Sequence, residues 1–223
     1  MSTNKNYPPA FDIVFNDDYI VVVNKNAKIL IQPSPRKEKI TLTSLLSKAL
    51  GEKVFPCHRL DRETTGLIIY AKSRETQGKV MEEFKHREVK KKYLAFIEGS
   101  IKRKKGMLID RIVDREGQIF KEKPKEAKTF YRLLHEFENW SLIELEPLTG
   151  RTNQLRIQLA KIGNPILGEA KYAFRRDFTV KFRRLALHAF YLKFTHPISR
   201  EKVSLKIDLA ADMKEFLKKR IVV

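Results

Sequence analysis

Short apolar runs, broken by polar or turn-forming residues, predict a chain built mainly from β-strands. The first two runs, residues 11–15 and 19–23, flank Asp17 and Asp18, which is typical of two strands joined by a turn. Further runs lie at residues 29–31, 67–70, 93–97, 129–134, 141–145 and 187–194. The last of these alternates in a way that predicts a half-buried strand. Residues 101–128 are highly charged and predict loops.

Four other stretches place apolar residues at helical spacing. One begins at Thr41 and ends at Gly51, and a second begins at Ser73, a residue type that favours helix N-termini. A third spans residues 152–162, and the last begins near Ala211. Runs of strands with few intervening helices predict the α+β class, with a mixed, mainly antiparallel sheet and flanking helices.

The chain shows no repeat and no Pro-, Gly- or Ser-rich linker. We therefore expect residues 1–10 to be a tail and residues 11–223 to form a single domain. No apolar run reaches the roughly 18 to 20 residues that a membrane span needs, and the N-terminus lacks the apolar core of a secretory signal. The lone cysteine, Cys57, is best interpreted as a buried thiol, and it predicts a reducing, cytoplasmic setting.

Charge points to a polyanionic partner. Lys and Arg number 46 against 27 Asp and Glu, which gives a formal net charge of +19. The basic residues form short runs at 37–39, 90–92, 102–105, 175–176, 181–184 and 218–220. Any one run could be an ordinary solvated face, but their spread along the chain favours nucleic acid. An anionic membrane is disfavoured, because neither a basic amphipathic helix nor a lipidation signal is evident.

Common catalytic motifs are missing from the sequence. It contains no Gly-rich phosphate loop, and its five histidines do not pair with one another at metal-ligand spacing. Its acidic residues are scattered, which disfavours a metal-dependent nuclease. We expect no metal and no organic cofactor.

Asp61 is the carboxylate whose surroundings are most suggestive of chemistry. It stands between Arg59 and Arg62 and precedes a Thr-Thr-Gly turn that leads into an apolar strand. A carboxylate kept ionised by a nearby cation can act as a nucleophile or base. An aspartate in such a loop also commonly caps the local turn, and this segment alone leaves both interpretations open.

Two further segments add candidate residues. Residues 147–157 form a Thr-Gly turn that carries Arg151 and leads into a helix with Arg156. Helix N-termini of this kind bind anions. Tyr93 follows Lys91 and Lys92 in a basic strand, where it could be a core residue or could stack on a base.

Together these segments resemble the RluA family of pseudouridine synthases. The resemblance covers most of the chain, from the opening strands to the strand near residue 190. It is carried by HRLDRETTGLIIYAKS, KKYLAFIEG, AKTFYRLL, ELEPLTGRTNQLRIQLAKIGNPILG and RLALHAFYLKFTHP. It implies an α+β fold with a central RNA-binding cleft and a cofactor-free isomerisation of uridines in structured rRNA or tRNA.

The resemblance also implies roles for individual residues. Asp61 would be the catalytic carboxylate and Arg156 its basic partner. Tyr93 would stack on the flipped uracil and could take or relay the carbon-bound proton that leaves before product forms. Arg59 would fill the gap that the extruded base leaves in the RNA. Whether Asp61 adds to the uracil ring, attacks the sugar or removes a sugar proton stays open. The remaining expected RNA contacts are Arg62, Thr65, Lys91, Lys92, Arg151, Arg183 and Arg184.

The chain departs from the family pattern near these motifs. Thr64-Thr65-Gly66 replaces Thr-Ser-Gly, and Asn24-Lys25-Asn26-Ala27-Lys28 replaces Asn-Lys-Pro-Ala-Gly. Asn153, Gln158 and Asn164 stand where the family has histidines. These changes concern substrate contacts rather than the type of reaction. We expect a monomeric RNA pseudouridine synthase, with a non-catalytic RNA-binding or chaperone protein as the alternative.

Overall fold

A central sheet dominates the structure, a computed structural model that describes residues 10–34, 38, 40–113, 123–173 and 178–221. Most of the expected tail, the whole basic run at 175–176 and both lysines of the run at 37–39 lie outside these residues. The elements, in chain order, are β1 (Phe11–Asn16), β2 (Ile20–Lys25), α1 (Leu42–Leu50), β3 (Phe55–Pro56), β4 (Thr65–Ala71), α2 (Arg74–Lys85), β5 (Lys90–Glu98), β6 (Lys105–Ile112), β7 (Lys125–Glu136), β8 (Trp140–Pro147), α3 (Gln154–Lys161), β9 (Leu187–Thr195), β10 (Lys202–Lys206) and α4 (Ala211–Ile221).

The strands lie in the order β1-β2-β4-β9-β5-β8-β7-β6, with β10 beside β9 and β3 beside β4. Each of these neighbouring pairs is antiparallel except β4 with β9, which run parallel and pair only at Thr65 and Gly66. This is the mixed, mainly antiparallel α+β architecture that the sequence predicts. The short β4–β9 pairing matters for function, because the two strands part where the candidate site begins.

Apolar side chains cover both faces of the central strands. Along β2, Val21 and Val23 belong to one buried cluster, while Ile20 and Val22 belong to the other. All seven residues of β4 are buried for the same reason. The first cluster also packs the aromatic rings of Phe96, Trp140 and Phe216, and the second receives Val80 from α2.

Local sequence signals set the helix ends as predicted. Thr41 and Ser44 form a reciprocal capping box at the start of α1, and Gly51 ends that helix in the left-handed conformation. Ser73 caps α2 by accepting a hydrogen bond from the backbone N–H of Thr76. None of the helices within the described ranges has the length and apolar character needed to span a bilayer.

Several local predictions are wrong. Residues 29–31 form no strand, and the charged stretch 101–128 contains β6, which pairs with β7 along its whole length. The short strands β3 and β10 were also not predicted. Strand β9 is buried on both faces over residues 187–190, but beyond them it alternates as predicted, with Tyr191 half-buried and Lys193 exposed. Strand β6 is an edge strand in which exposed and half-buried residues alternate and only the last of its eight residues is buried, so no apolar run marks it.

Candidate active site

The Asp61 loop, residues 57–64, lies along the edge of β4 where no neighbouring strand continues. The backbone N–H of Cys57 donates to the carbonyl of Ile69 at 3.0 Å, and the backbone N–H of Ile69 donates to Nε2 of His58 at 3.0 Å. The loop thus supplies hydrogen bonds that a strand would otherwise make. Burial raises the pKa of the Cys57 thiol to about 12, which agrees with its interpretation as an unreactive thiol.

Lys25 holds the far end of the Asp61 loop and was missed by sequence reasoning. Its side chain is fully buried, and Nζ donates to the carbonyls of Asn26, Arg62 and Thr64 at 3.0, 3.0 and 2.7 Å. Burial lowers the pKa of Lys25 to about 7, although the Glu63 carboxylate opposes that shift. The sequence signal that could have identified Lys25 is its position as a charged residue at the end of the mainly apolar strand β2.

Asp61 and Arg156, 95 residues apart in the chain, form an ion pair in the structure. Nη1 of Arg156 lies 3.1 Å from Oδ2 of Asp61. The Asp61 side chain keeps 28% of its surface exposed, so it remains open to a bound substrate. The structure therefore brings Asp61 within hydrogen-bond distance of the basic partner that the family resemblance implies for it.

The turn into α3 places Arg156, and Gln154 fixes that turn. Its side-chain oxygen accepts hydrogen bonds from the Thr149 hydroxyl at 2.7 Å and from the Arg151 backbone N–H at 3.0 Å. Its side-chain nitrogen donates to the carbonyl of Lys128 and to the hydroxyl of Thr129. A buried amide with four partners gives the turn a single conformation.

Glu169 holds the guanidinium of Arg156 from behind and was also missed. Its carboxylate accepts from Nε at 2.7 Å and from Nη2 at 2.9 Å, and its side chain is fully buried. The same carboxylate accepts from the backbone N–H groups of Lys171 and Tyr172. Burial would raise the pKa of Glu169, but its bonds with Arg156 lower it overall. Burial would likewise lower the pKa of Arg156, but Glu169 and Asp61 raise it overall.

Tyr93 lies in β5 with only 7% of its surface exposed, and it lines the same cleft as Asp61. Burial raises the pKa of its phenol above the ordinary value, and the negative charge of Asp61 raises it further. The side chain is therefore a neutral phenol at physiological pH. Its position suits an aromatic platform beside the carboxylate.

Asp61, Tyr93, Gln154 and Arg156 line a cleft of about 840 Å³. The Asp61 loop, the end of α2, the start of β5 and the turn from β8 into α3 form its walls. Basic side chains are concentrated along it. The cations in the lining, besides Arg156, are Arg59, Lys85, Arg87, Lys90, Lys91 and Arg151.

Five predicted RNA contacts do not line the cleft. Thr65 is buried and bonds to Nδ1 of His188 at 2.8 Å, and Thr64 takes its place in the lining. Arg184 is buried and paired with Asp212 through two bonds of 2.7 Å. Burial therefore leaves neither Thr65 nor Arg184 available to a phosphate.

The other three predicted contacts, Arg62, Lys92 and Arg183, have exposed or half-buried side chains outside the cleft lining. Nε of Arg62 donates to the carbonyl of Lys28 at 3.3 Å, and Lys92 is paired with Glu144 at 3.1 Å. Arg183 is exposed near α4. These three positions can contact RNA only beyond the cleft itself.

The three amides at family histidine positions have different surroundings. Asn153 accepts a hydrogen bond from Nη1 of Arg156 at 2.9 Å, so it belongs to the site. Gln158 bonds to Thr129 and to the carbonyls of Leu108 and Ala127, which ties α3 to the sheet. Asn164 donates to the carbonyls of Glu98 and Ser100. Only Asn153 is placed to affect the chemistry directly.

Replacing Glu169 with Gln should lower kcat about tenfold to a hundredfold while changing KM for the substrate little. The amide has nearly the same shape but loses the charge that fixes two guanidinium nitrogens, so Arg156 would sample positions away from Asp61. Steady-state kinetics with Glu169→Gln and Glu169→Asp measure this, and the aspartate should restore part of kcat. Glu75→Gln, at an exposed helix position, is the control. A change confined to thermal stability would contradict the positioning role.

Comparison with known proteins covers nearly the whole chain. A family model described as RNA pseudouridylate synthase matches residues 19–161, which include Asp61, Tyr93 and Arg156. The tRNA pseudouridine synthase C of Vibrio parahaemolyticus is 33% identical over 229 residues, spanning 91% of this chain and 92% of its own. The dual-specificity RNA pseudouridine synthase RluA of Pasteurella multocida is 36% identical over 204 residues, spanning 88% and 92%. The solved structure of human RNA pseudouridylate synthase domain containing 4 has a TM-score of 0.78 at 26% identity, covering 93% of this chain and 92% of that one.

Proposed function

The chain belongs to the family of RNA pseudouridylate synthases, and we propose that it isomerises selected uridines of structured tRNA or rRNA to pseudouridine. In this reaction the bond from N1 of uracil to C1′ of ribose breaks, and a bond from C5 to C1′ forms. The proton on C5 leaves and N1 gains one, so the atoms balance without an external reactant. Relatives named tRNA pseudouridine synthase C and ribosomal large subunit pseudouridine synthase D support both RNA classes as substrates.

The observation that carries the proposal is the ion pair of Asp61 with Arg156 beside Tyr93 in a cation-lined cleft. Ring addition, attack on the sugar and removal of a sugar proton all require an ionised carboxylate against the nucleotide. A guanidinium 3.1 Å away, held from behind by Glu169, stabilises that charge and fixes its direction. Asp61 is therefore the residue we assign to the reacting nucleotide.

Tyr93 is proposed as the surface on which the flipped uracil stacks. Its burial in the cleft wall gives it a fixed orientation, and its raised pKa keeps it a neutral phenol. A neutral phenol accepts the C5 proton only if it passes on its own proton in the same step. The stacking role needs no such transfer and is the one that this environment favours.

Base extrusion is required by geometry, because the glycosidic bond of a stacked nucleotide is hidden from a protein carboxylate. Arg59 is exposed at the mouth of the cleft, two residues before Asp61. We assign it to the gap left in the RNA, where its planar guanidinium can stack between neighbouring bases. Arg151 and the cations at the end of α2 would contact the phosphates around it.

One chain supplies every residue of this site. Asp61, Tyr93, Arg156 and Glu169 come from different elements joined by a single sheet and its flanking helix. We therefore propose a single catalytic domain that acts as a monomer, in the cytoplasm where tRNA and rRNA are accessible.

Tritium release from RNA labelled at C5 of uridine tests the proposal. The protein would be added, with a chelator present, to total tRNA and rRNA from a strain that lacks it. Release from either pool is the expected result, since the C5 proton is lost in every route to product. Salt-sensitive RNA binding without release from either pool would contradict the enzyme assignment and favour a non-catalytic RNA-binding protein.

A further inference from the structure

Lys91 is a cation in the cleft that has no acidic partner. Its neighbours Lys90 and Lys92 both have carboxylate partners, Glu146 at 3.4 Å and Glu144 at 3.1 Å. Nζ of Lys91 has no carboxylate within 4.0 Å and no hydrogen-bond acceptor among the residues that the structure describes. Lys91 therefore differs from both neighbours in having no carboxylate partner among the described residues, which leaves its ammonium able to bind an external anion.

Two neighbours lie close to the ammonium of Lys91. Nζ is 5.8 Å from the centre of the Phe84 ring. It is also next to Gly150, where an added Cβ atom would stand 3.4 Å from Nζ, in van der Waals contact. The lysine is half-buried and lines the cleft that contains Asp61 and Tyr93, and we call the space beside Phe84 and Gly150 the slot.

An unpaired ammonium in such a slot is unfavourable until an anion arrives, because burial removes its hydration without supplying a counter-charge. Burial accordingly lowers the pKa of Lys91 to about 8. The nearby His58 supplies no negative charge, and burial together with the charge of Lys91 lowers its pKa to about 3. No described residue supplies a counter-charge to Lys91, so an anion from outside the protein can fill this role.

We propose that Lys91 binds a backbone phosphate of the RNA next to the target nucleotide, in the slot between Phe84 and the turn at Gly150. This inference rests on the proposed function and adds an anchor to it. A phosphate is favoured over the uracil, because Tyr93 already offers the flat platform and cations line this side of the cleft. The ammonium, unlike its paired neighbours, can form a charge-assisted bond without giving up an existing one.

The proposal predicts a pH-dependent affinity. The charged and titratable groups that share the cleft with Lys91 are Cys57, His58, Arg59, Asp61, Lys85, Arg87, Lys90, Tyr93, Glu146, Arg151 and Arg156. His58 stays neutral and Tyr93 stays protonated across the range of interest. RNA affinity should be full below the pKa of Lys91 and should weaken as pH rises through it.

Fluorescence anisotropy with an unmodified tRNA transcript tests this for Lys91→Met and Lys91→Arg. Lys91→Met should raise Kd about threefold to tenfold and reduce the slope of log Kd against log salt by about 1. Between about pH 7 and about pH 9 the wild-type Kd should rise more steeply than that of Lys91→Met, in which Lys25, with a pKa of about 7, still titrates. Lys91→Arg should keep the affinity and lose the part of the pH dependence that Lys91 contributes, since arginine stays charged.

Lys79→Met is the matched control. It removes the same charge from an exposed position of α2 that is paired with Glu75 and lies outside the cleft lining. Equal effects of Lys79→Met and Lys91→Met would overturn the proposal and leave only a general charge effect. A lower single-turnover rate at saturating RNA, with Kd unchanged, would also overturn it and place Lys91 on the uracil.

The outcome is separable from that of the proposed function. If the wild type releases no tritium, the synthase assignment fails, whatever Lys91 does to affinity. If the wild type releases tritium and Lys91→Met binds RNA as the wild type does, the phosphate anchor alone fails. Thermal melting of both Lys91 variants distinguishes a lost contact from a lost fold, and Lys91→Arg keeps the test valid if methionine is not tolerated.

Discussion

Replacing Asp61 with Asn should abolish tritium release while leaving the fold and RNA affinity nearly unchanged. The amide keeps the size of the carboxylate and can still accept a hydrogen bond from Arg156, so the Asp61 loop has no reason to move. What disappears is the negative charge that acts as nucleophile or base. We expect the single-turnover rate to fall by roughly 10⁴-fold or more, as it does when such a group is removed.

The matched control is Asp110→Asn. Asp110 is also a carboxylate paired with a cation, Lys161 at 2.8 Å, but it lies on the edge strand β6 and outside the cleft lining. Its amide variant should keep the wild-type rate within about twofold, as surface substitutions usually do. A rate for Asp61→Asn within tenfold of the wild type would contradict the central role of this carboxylate. Anisotropy with the same RNA shows whether any loss arises from binding instead.

Residues that belong to a local sequence motif were predictable from the sequence. Asp61, Tyr93 and Arg156 each belong to a recognisable segment, and the structure places all three at one cleft. The family resemblance, rather than geometry, joined them, because no local pattern shows that residues 95 positions apart touch. Their catalytic roles remain predictions that the kinetic experiments address.

Residues that act through tertiary contacts were not predictable in this way. Glu169 lies in an ordinary loop sequence, and only the folded chain shows it behind Arg156. Thr65 and Arg184 carry suitable chemistry in sequence but are buried, Thr65 where β4 pairs with β9 and Arg184 against Asp212 of α4. Burial is decided by strand pairing, as with the unpredicted edge strand β6. Sequence therefore predicts chemical type better than exposure.

The contact between β4 and β9 also gives the largest expected effect on stability, at Gly66. This residue has a φ of +115°, and a Cβ atom there would lie 2.2 Å from the carbonyl oxygen of Ala189 in β9. Gly66→Ala should therefore separate the two strands at the only place where they pair. We expect a loss of about 3–5 kcal/mol in the free energy of unfolding and a fall in Tm of roughly 6–20 °C.

Gly78→Ala provides the opposite expectation for the same chemical change. Gly78 lies in α2 with no atom within 4 Å of an added Cβ, so alanine should stabilise the helix by about 0.5–1 kcal/mol. Calorimetry of both variants compares the two sites. A Gly66→Ala protein as stable as the wild type would mean that β4 and β9 can separate without a loss in the free energy of unfolding.

Because the Asp61 loop runs directly into β4 at Thr65, the same separation would move Asp61 away from Arg156. We therefore expect any Gly66→Ala protein that remains folded to lose activity as well as stability.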